Sequence, residues 1–87
     1  MFKIVLHKRA VKFLDKITDK QKKKIKDALI KLSYNPNQYF GVINMVGDWS
    51  GYMRVRVGNI RIIFWLDSEA KTVYVDHIGS RGDIYKN

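Results

Sequence analysis

Apolar and polar residues alternate from Phe2 to His7, with Phe2, Ile4 and Leu6 on one side and Lys3, Val5 and His7 on the other. A period of two predicts a strand. The period then lengthens. Ala10, Phe13, Leu14 and Ile17 recur at the spacing of one helix face, and Ile25, Ala28, Leu29 and Leu32 repeat that spacing after a break. Between the two runs, Thr18 precedes Gln21 by three residues. That is the pattern of a capping box, in which each side chain bonds the other's backbone N–H, and it predicts the start of a second helix. Asn35-Pro36 predicts its end, because proline disfavours helical backbone in the residue before it. The two amphipathic runs predict an antiparallel helical hairpin with a shared apolar seam.

From residue 40 the period returns to two. Phe40 to Val46 is a weak strand, Gly47 to Gly51 a loop, and Tyr52 to Val57, Ile60 to Leu66 and Thr72 to Ile78 are strands. A strand, two helices and then a run of strands predict an α+β fold: a small antiparallel sheet including the N-terminal strand, with the helical hairpin packed on one face. Residues 1–87 are expected to form a single domain, since a chain of 87 residues has room for one modest core. No internal repeat or low-complexity linker interrupts it.

Gly58-Asn59 separates two alternating runs, and a two-residue turn there would call for positive φ at both positions. Such a turn sets the pairing: Val57 with Ile60, Arg56 with Arg61, Val55 with Ile62, Arg54 with Ile63 and Met53 with Phe64. Because side chains alternate between faces, Met53, Val55, Val57, Ile60, Ile62 and Phe64 form a wholly apolar core face. Tyr52, Arg54, Arg56, Arg61, Ile63 and Trp65 fall on the other. A slip of one residue would drive arginines into the core, so the pattern supports only this register.

Charge sharpens the meaning of that second face. Lys plus Arg total 17 against 8 Asp plus Glu, a formal net charge of +9. Such an excess attracts polyanions, with nucleic acid the first candidate and an acidic protein the second. The lysines of the second helix, Lys20, Lys22, Lys23, Lys24, Lys26 and Lys31, read as a solvated face. Arg56 opposite Arg61 is different. Like charges directly across a sheet are destabilising, and a bound anion reverses the sign of that contribution. The guanidinium fork matches phosphate, and Tyr52 and Trp65 offer rings on which unpaired bases could stack. Arg54, Arg56, Tyr52 and Trp65 are therefore the candidate RNA- and phosphate-binding residues.

Cysteine is absent, which removes disulfides and thiolate metal sites and fits a cytoplasmic protein. Phe2 to Leu6 is too short for a signal peptide or a membrane span, so no membrane association is expected. No His, Cys or Asp cluster has metal-ligand spacing and no Gly-rich phosphate loop precedes a helix, so neither a metal nor another cofactor is expected. His7 and His77 stand alone in the sequence and are read as structural.

The run Arg54-Val55-Arg56-Val57-Gly58-Asn59-Ile60-Arg61-Ile62-Ile63-Phe64, followed by Ile78-Gly79-Ser80-Arg81 and Ile84-Tyr85, resembles the RelE/ParE toxin superfamily. So does the front half, with Ala10, Leu14, the helical hairpin and Asn35-Pro36. The resemblance spans nearly the whole chain and favours the RelE branch. It implies an endoribonuclease that enters the ribosomal A site, contacts ribosomal RNA and cuts messenger RNA, the 2′-hydroxyl attacking the neighbouring phosphate. It also implies a cognate RelB-like antitoxin, with a toxin–antitoxin heterotetramer as one assembly. By motif position, Arg54 and Arg56 match the basic pair of the third strand. Arg61 matches the arginine after the hairpin turn, Arg81 the C-terminal arginine and Tyr85 the terminal tyrosine. Arg61, Arg81 and Tyr85 are thus the candidate catalytic residues. Some relatives have lysines where Arg54 and Arg56 stand, and many have His or Lys in place of Ser80. Arginine is a poor base, so Tyr85 is the candidate to assist the 2′-hydroxyl, with a cationic cluster favouring its anion, and Arg81 to stabilise or protonate the leaving oxygen. Two alternatives are a ParE-like inhibitor of DNA gyrase and a non-catalytic basic module that binds RNA or protein.

Overall fold

Thr18 starts the longer helix as its spacing to Gln21 predicts. The Gln21 N–H donates to Thr18 Oγ1 and the Thr18 N–H donates to Gln21 Oε1, both at 3.2 Å. The helix, α2 (Asp19–Tyr34), stops just before Asn35-Pro36. In the computed structural model, which describes residues 1–36 and 41–80, it is preceded by β1 (Lys3–Leu6) and α1 (Lys8–Leu14). After it come β2 (Ile43–Asn44), a 3-10 turn (Gly47–Trp49), β3 (Met53–Val57), β4 (Ile60–Asp67) and β5 (Thr72–Ser80). Only two residues of the weak strand expected over 40–46 are extended in the sheet.

The strands form one five-stranded sheet in the order β1-β5-β4-β3-β2. It is antiparallel from β2 to β5, as expected. At the other edge, β1 runs parallel to β5, with Lys3 opposite Thr72 and Leu6 opposite Val75. A parallel neighbour is compatible with β1 because the helices and the other strands intervene before β5, a connection far longer than a hairpin. β1 ends where β5 continues, and α1 packs against β5 in its place.

One layer of side chains fills the space between sheet and helices. Val55, Ile60, Ile62, Phe64, Val73, Val75 and Ile78 from the sheet meet Ala10 of α1 and Ile25, Ala28 and Leu32 of α2. The predicted core face of the hairpin is therefore the real one, with Met53 and Val57 at its half-buried margin. The apolar seam that the helix patterns predict is shared but not tightly closed. Leu6, Val11, Leu14, Ile25 and Leu29 line an open groove together with Asp15, Lys22 and Lys26. Each helix also lies against the sheet, α1 on β5 and α2 on β1 and β3.

The hairpin register is the predicted one at every position from Met53↔Phe64 to Val57↔Ile60. Its turn differs in one respect. Gly58 has φ 63, but Lys71 (φ 50) is the one described non-glycine residue with positive φ, so Asn59 does not share it. Positive φ at the first position alone is the II′ pattern, whose twist also suits a hairpin.

Candidate functional site

Alternation along β3 and β4 delivers the predicted cationic face. Arg56 lies directly opposite Arg61, and Arg54 opposite Ile63. Arg56 is exposed, whereas Arg54 and Arg61 are half-buried. A hollow of about 80 Å³ is lined by Arg54, Arg56 and Arg61 with Gly41, Ile43 and Val55. Three guanidinium groups thus converge on a space of small-anion size, where their donors can bind an anion's oxygens in pairs.

The face extends onto β5. Arg61 is opposite Gly79 and Ile63 is opposite His77, so two rows cross the sheet: Arg56, Arg61, Gly79, and Arg54, Ile63, His77. Gly79 has no side chain and is itself buried. Ser80 pairs with Ile60 and takes the core-facing side of the strand. Trp65 stacks on Tyr74 with ring centroids 4.4 Å apart and is 36% exposed. Tyr52 meets Trp49 edge-on at 5.1 Å. Each candidate aromatic is therefore braced by another ring. Arg81 and Tyr85 lie outside the described residues.

Ile63 departs from expectation. It points to the supposedly open face yet is fully buried, and it stands apart from the core cluster. The 3-10 turn accounts for this. Trp49 touches Tyr52, just before β3, and His77 on β5, the latter edge-on at 5.3 Å. Those two partners lie on either side of β4, about two strand spacings of ~4.8 Å apart. Trp49 therefore spans β4 at the level of Ile63, dividing the face into a roofed part and an open cationic part.

His77 is the residue that sequence reasoning undervalued. In a regular strand Asp76 and His77 would point to opposite faces. The register shifts by one residue here, because Ile63 pairs with His77 and Phe64 with Val75, leaving Asp76 as an extra residue in a bulge. The bulge allows Asp76 Oδ2 to sit 2.7 Å from His77 Nδ1. On the far side of the imidazole, Arg9 Nη1 is 3.4 Å from His77 Nε2. Arg9, Lys12 and Lys16 of α1 then line a second cleft with Phe13, His77, Ile78 and Gly79. The adjacent Asp-His pair was visible in the sequence, but nothing local marks the bulge that joins it. His7, by contrast, is structural: its Nδ1 accepts the Arg9 N–H at 3.1 Å and caps α1.

Comparison with known proteins agrees with the fold. Residues 4–85 match the family model of the ParE toxin of type II toxin-antitoxin systems, parDE. The chain belongs to the ParE toxin family. Within the wider RelE/ParE superfamily, the toxin's fold resembles the RelBE2 toxin–antitoxin complex of Mycobacterium tuberculosis, with a TM-score of 0.82, 18% identity and coverage of 92% of this chain and 98% of that one. The archaeal RelE–RelB complex of Pyrococcus horikoshii gives a TM-score of 0.79 at 24% identity, covering 94% and 97% of the two chains. The YoeB/ParE toxin of Agrobacterium tumefaciens gives 0.79 at 18% identity, covering 92% and 99%. No curated protein sequence matches the toxin significantly. Among the described residues, no helix is long and apolar enough to cross a membrane.

Proposed function

We propose that the toxin is an endoribonuclease that cuts messenger RNA in the ribosomal A site and so halts translation. The observation that carries this reading is the convergence of Arg54, Arg56 and Arg61 on one hollow. Attack of a 2′-hydroxyl on the adjacent phosphate places extra negative charge on the phosphoryl oxygens as the new bond forms. Guanidinium donors fixed on two paired strands meet that charge without reorganising, which is the main source of catalytic power in such centres. Arg54 and Arg56 hold the backbone phosphate, Arg61 stabilises the developing charge, and Tyr52 and Trp65 receive flanking bases. By family resemblance, Arg81 is assigned to stabilise or protonate the leaving oxygen and Tyr85 to assist the 2′-hydroxyl. The products are a cyclic phosphate and a free 5′-hydroxyl.

The physiological partner is an antitoxin of RelB type, as in the mycobacterial and archaeal complexes. A net charge of +9 favours an acidic one. A cytoplasmic site of action follows from the ribosomal target.

The family match itself favours a second reading, in which the toxin inhibits DNA gyrase and cuts nothing. One experiment separates the two. Purified toxin is mixed with programmed ribosomes and RNA ends are mapped, with Arg61→Ala and Arg81→Ala in parallel. Cleavage by the wild type alone supports the nuclease. Intact RNA together with inhibited gyrase supercoiling refutes it.

A further inference from the structure

We propose that His77, oriented by Asp76, is the proton acceptor for the 2′-hydroxyl. The inference rests on the RNA-cleaving reading above and supplies what the arginines cannot, since guanidinium has donors and no acceptor.

The tautomer follows from the partners. Arg9 can only donate, so His77 Nε2, 3.4 Å from its Nη1, presents a lone pair. Nδ1 then carries the proton and donates to Asp76 Oδ2 at 2.7 Å. A carboxylate that holds one ring nitrogen and so fixes the lone pair on the other is the arrangement that makes histidine a directed base. Asp76 is the positioning residue, and the edge of Trp49 limits rotation of the ring.

His77 is placed to act on a phosphate held by Arg61. The two share a face, and His77 is the diagonal neighbour of Arg61 across β4 and β5, at a spacing of about 7–8 Å between backbones. Gly79, opposite Arg61, puts no side chain between the two. In the step, the 2′-hydroxyl proton passes to Nε2 as the 2′ oxygen bonds to phosphorus. The bond from phosphorus to the 5′ oxygen breaks, and that oxygen takes a proton from the opposite side, from water in the simplest case. Arg9 Nη1 must yield its place at Nε2 to the ribose. The charged or titratable groups around the ring are Asp76 on β5, Arg9, Lys12 and Lys16 on α1, Arg61 on β4, and His7, which bonds Arg9.

The test is single-turnover cleavage on programmed ribosomes by wild type, His77→Asn, Asp76→Asn, Asp76→Glu and Arg61→Ala. His77→Asn keeps a donor for Asp76 and removes the acceptor, so the rate falls ~10²–10⁴-fold while ribosome affinity changes less than threefold. Asp76→Asn lowers kcat more than it changes KM, and Asp76→Glu recovers part of the loss. Replacing the leaving oxygen by sulfur, which departs without a proton, does not rescue His77→Asn, as it would a variant lacking the acid. A His77→Asn protein that cuts at the wild-type rate while Arg61→Ala is inactive overturns the dyad and spares the nuclease. A folded wild type that cuts no RNA overturns both. Should His77→Asn fold poorly, the Asp76 pair decides alone, an Asp76→Asn protein that cuts at the wild-type rate overturning the proposal.

Discussion

Arg56 and Arg61 face each other across adjacent strands, one pair beyond the Val57↔Ile60 pair that closes the Gly58-Asn59 turn. Directly opposed like charges oppose folding by roughly 0.2–1 kcal/mol. Arg56→Gln is therefore expected to raise the urea midpoint slightly with unchanged m value. The same change weakens RNA binding and reduces the slope of log affinity against log salt by about 0.7 for single-stranded RNA. Urea titrations and binding over a salt series check the two halves. A protein destabilised by the substitution would contradict the repulsion argument.

Ile63 supplies a second test. If the face opposite the core were open to water, shortening this side chain would cost little. Because Trp49 roofs it, Ile63→Ala is expected to cost about 2–5 kcal/mol, similar to Ile62→Ala in the main core. Trp49→Ala should reduce the difference between Ile63 and Ile63→Ala in a double-mutant cycle.

Two backbone positions make opposite predictions. Gly58 (φ 63) would bear a Cβ that meets nothing within 4 Å, so Gly58→Ala pays only for the left-handed backbone, about 1–2 kcal/mol. Lys71 already carries such a Cβ at φ 50, and Lys71→Gly is expected to gain up to ~1 kcal/mol. Thermal unfolding of the pair should show shifts of opposite sign.

The capping box gives a local control far from the arginines. Thr18→Ala removes the acceptor for the Gln21 N–H and should cost ~1 kcal/mol. Cleavage by the folded protein should be unaffected.

What could be read from the chain beforehand was what neighbouring residues determine. The Thr18-Gln21 box, the stop at Asn35-Pro36 and the hairpin register are all set within a few residues, and all appear as expected. The grouping of Arg54, Arg56 and Arg61 followed from alternation on two paired strands. Features that depend on distant pairing were not legible. β1 could join the sheet in either direction, because a strand's own sequence does not specify its neighbour. The burial of Ile63 required knowing where the turn at Gly47–Trp49 would fold. His77 was read as a lone histidine because period-two alternation puts Asp76 on the opposite face, and only pairing with β4 reveals the extra residue. The roles assigned to Arg81 and Tyr85 came from family likeness rather than from any pattern in the chain.

The bulge also makes one position in β5 dispensable to the sheet. Between the pairs Ile62↔Ile78 and Phe64↔Val75, β4 has one residue, Ile63, and β5 has both Asp76 and His77. A chain lacking Asp76 would match β4 residue for residue. Val75 and Ile78 would stay in the core, and His77 and Gly79 would stay on the arginine side. Losing a residue from the middle of a strand ordinarily turns everything beyond it onto the wrong face. Here it should yield a more regular sheet, with the imidazole left in place and its carboxylate gone.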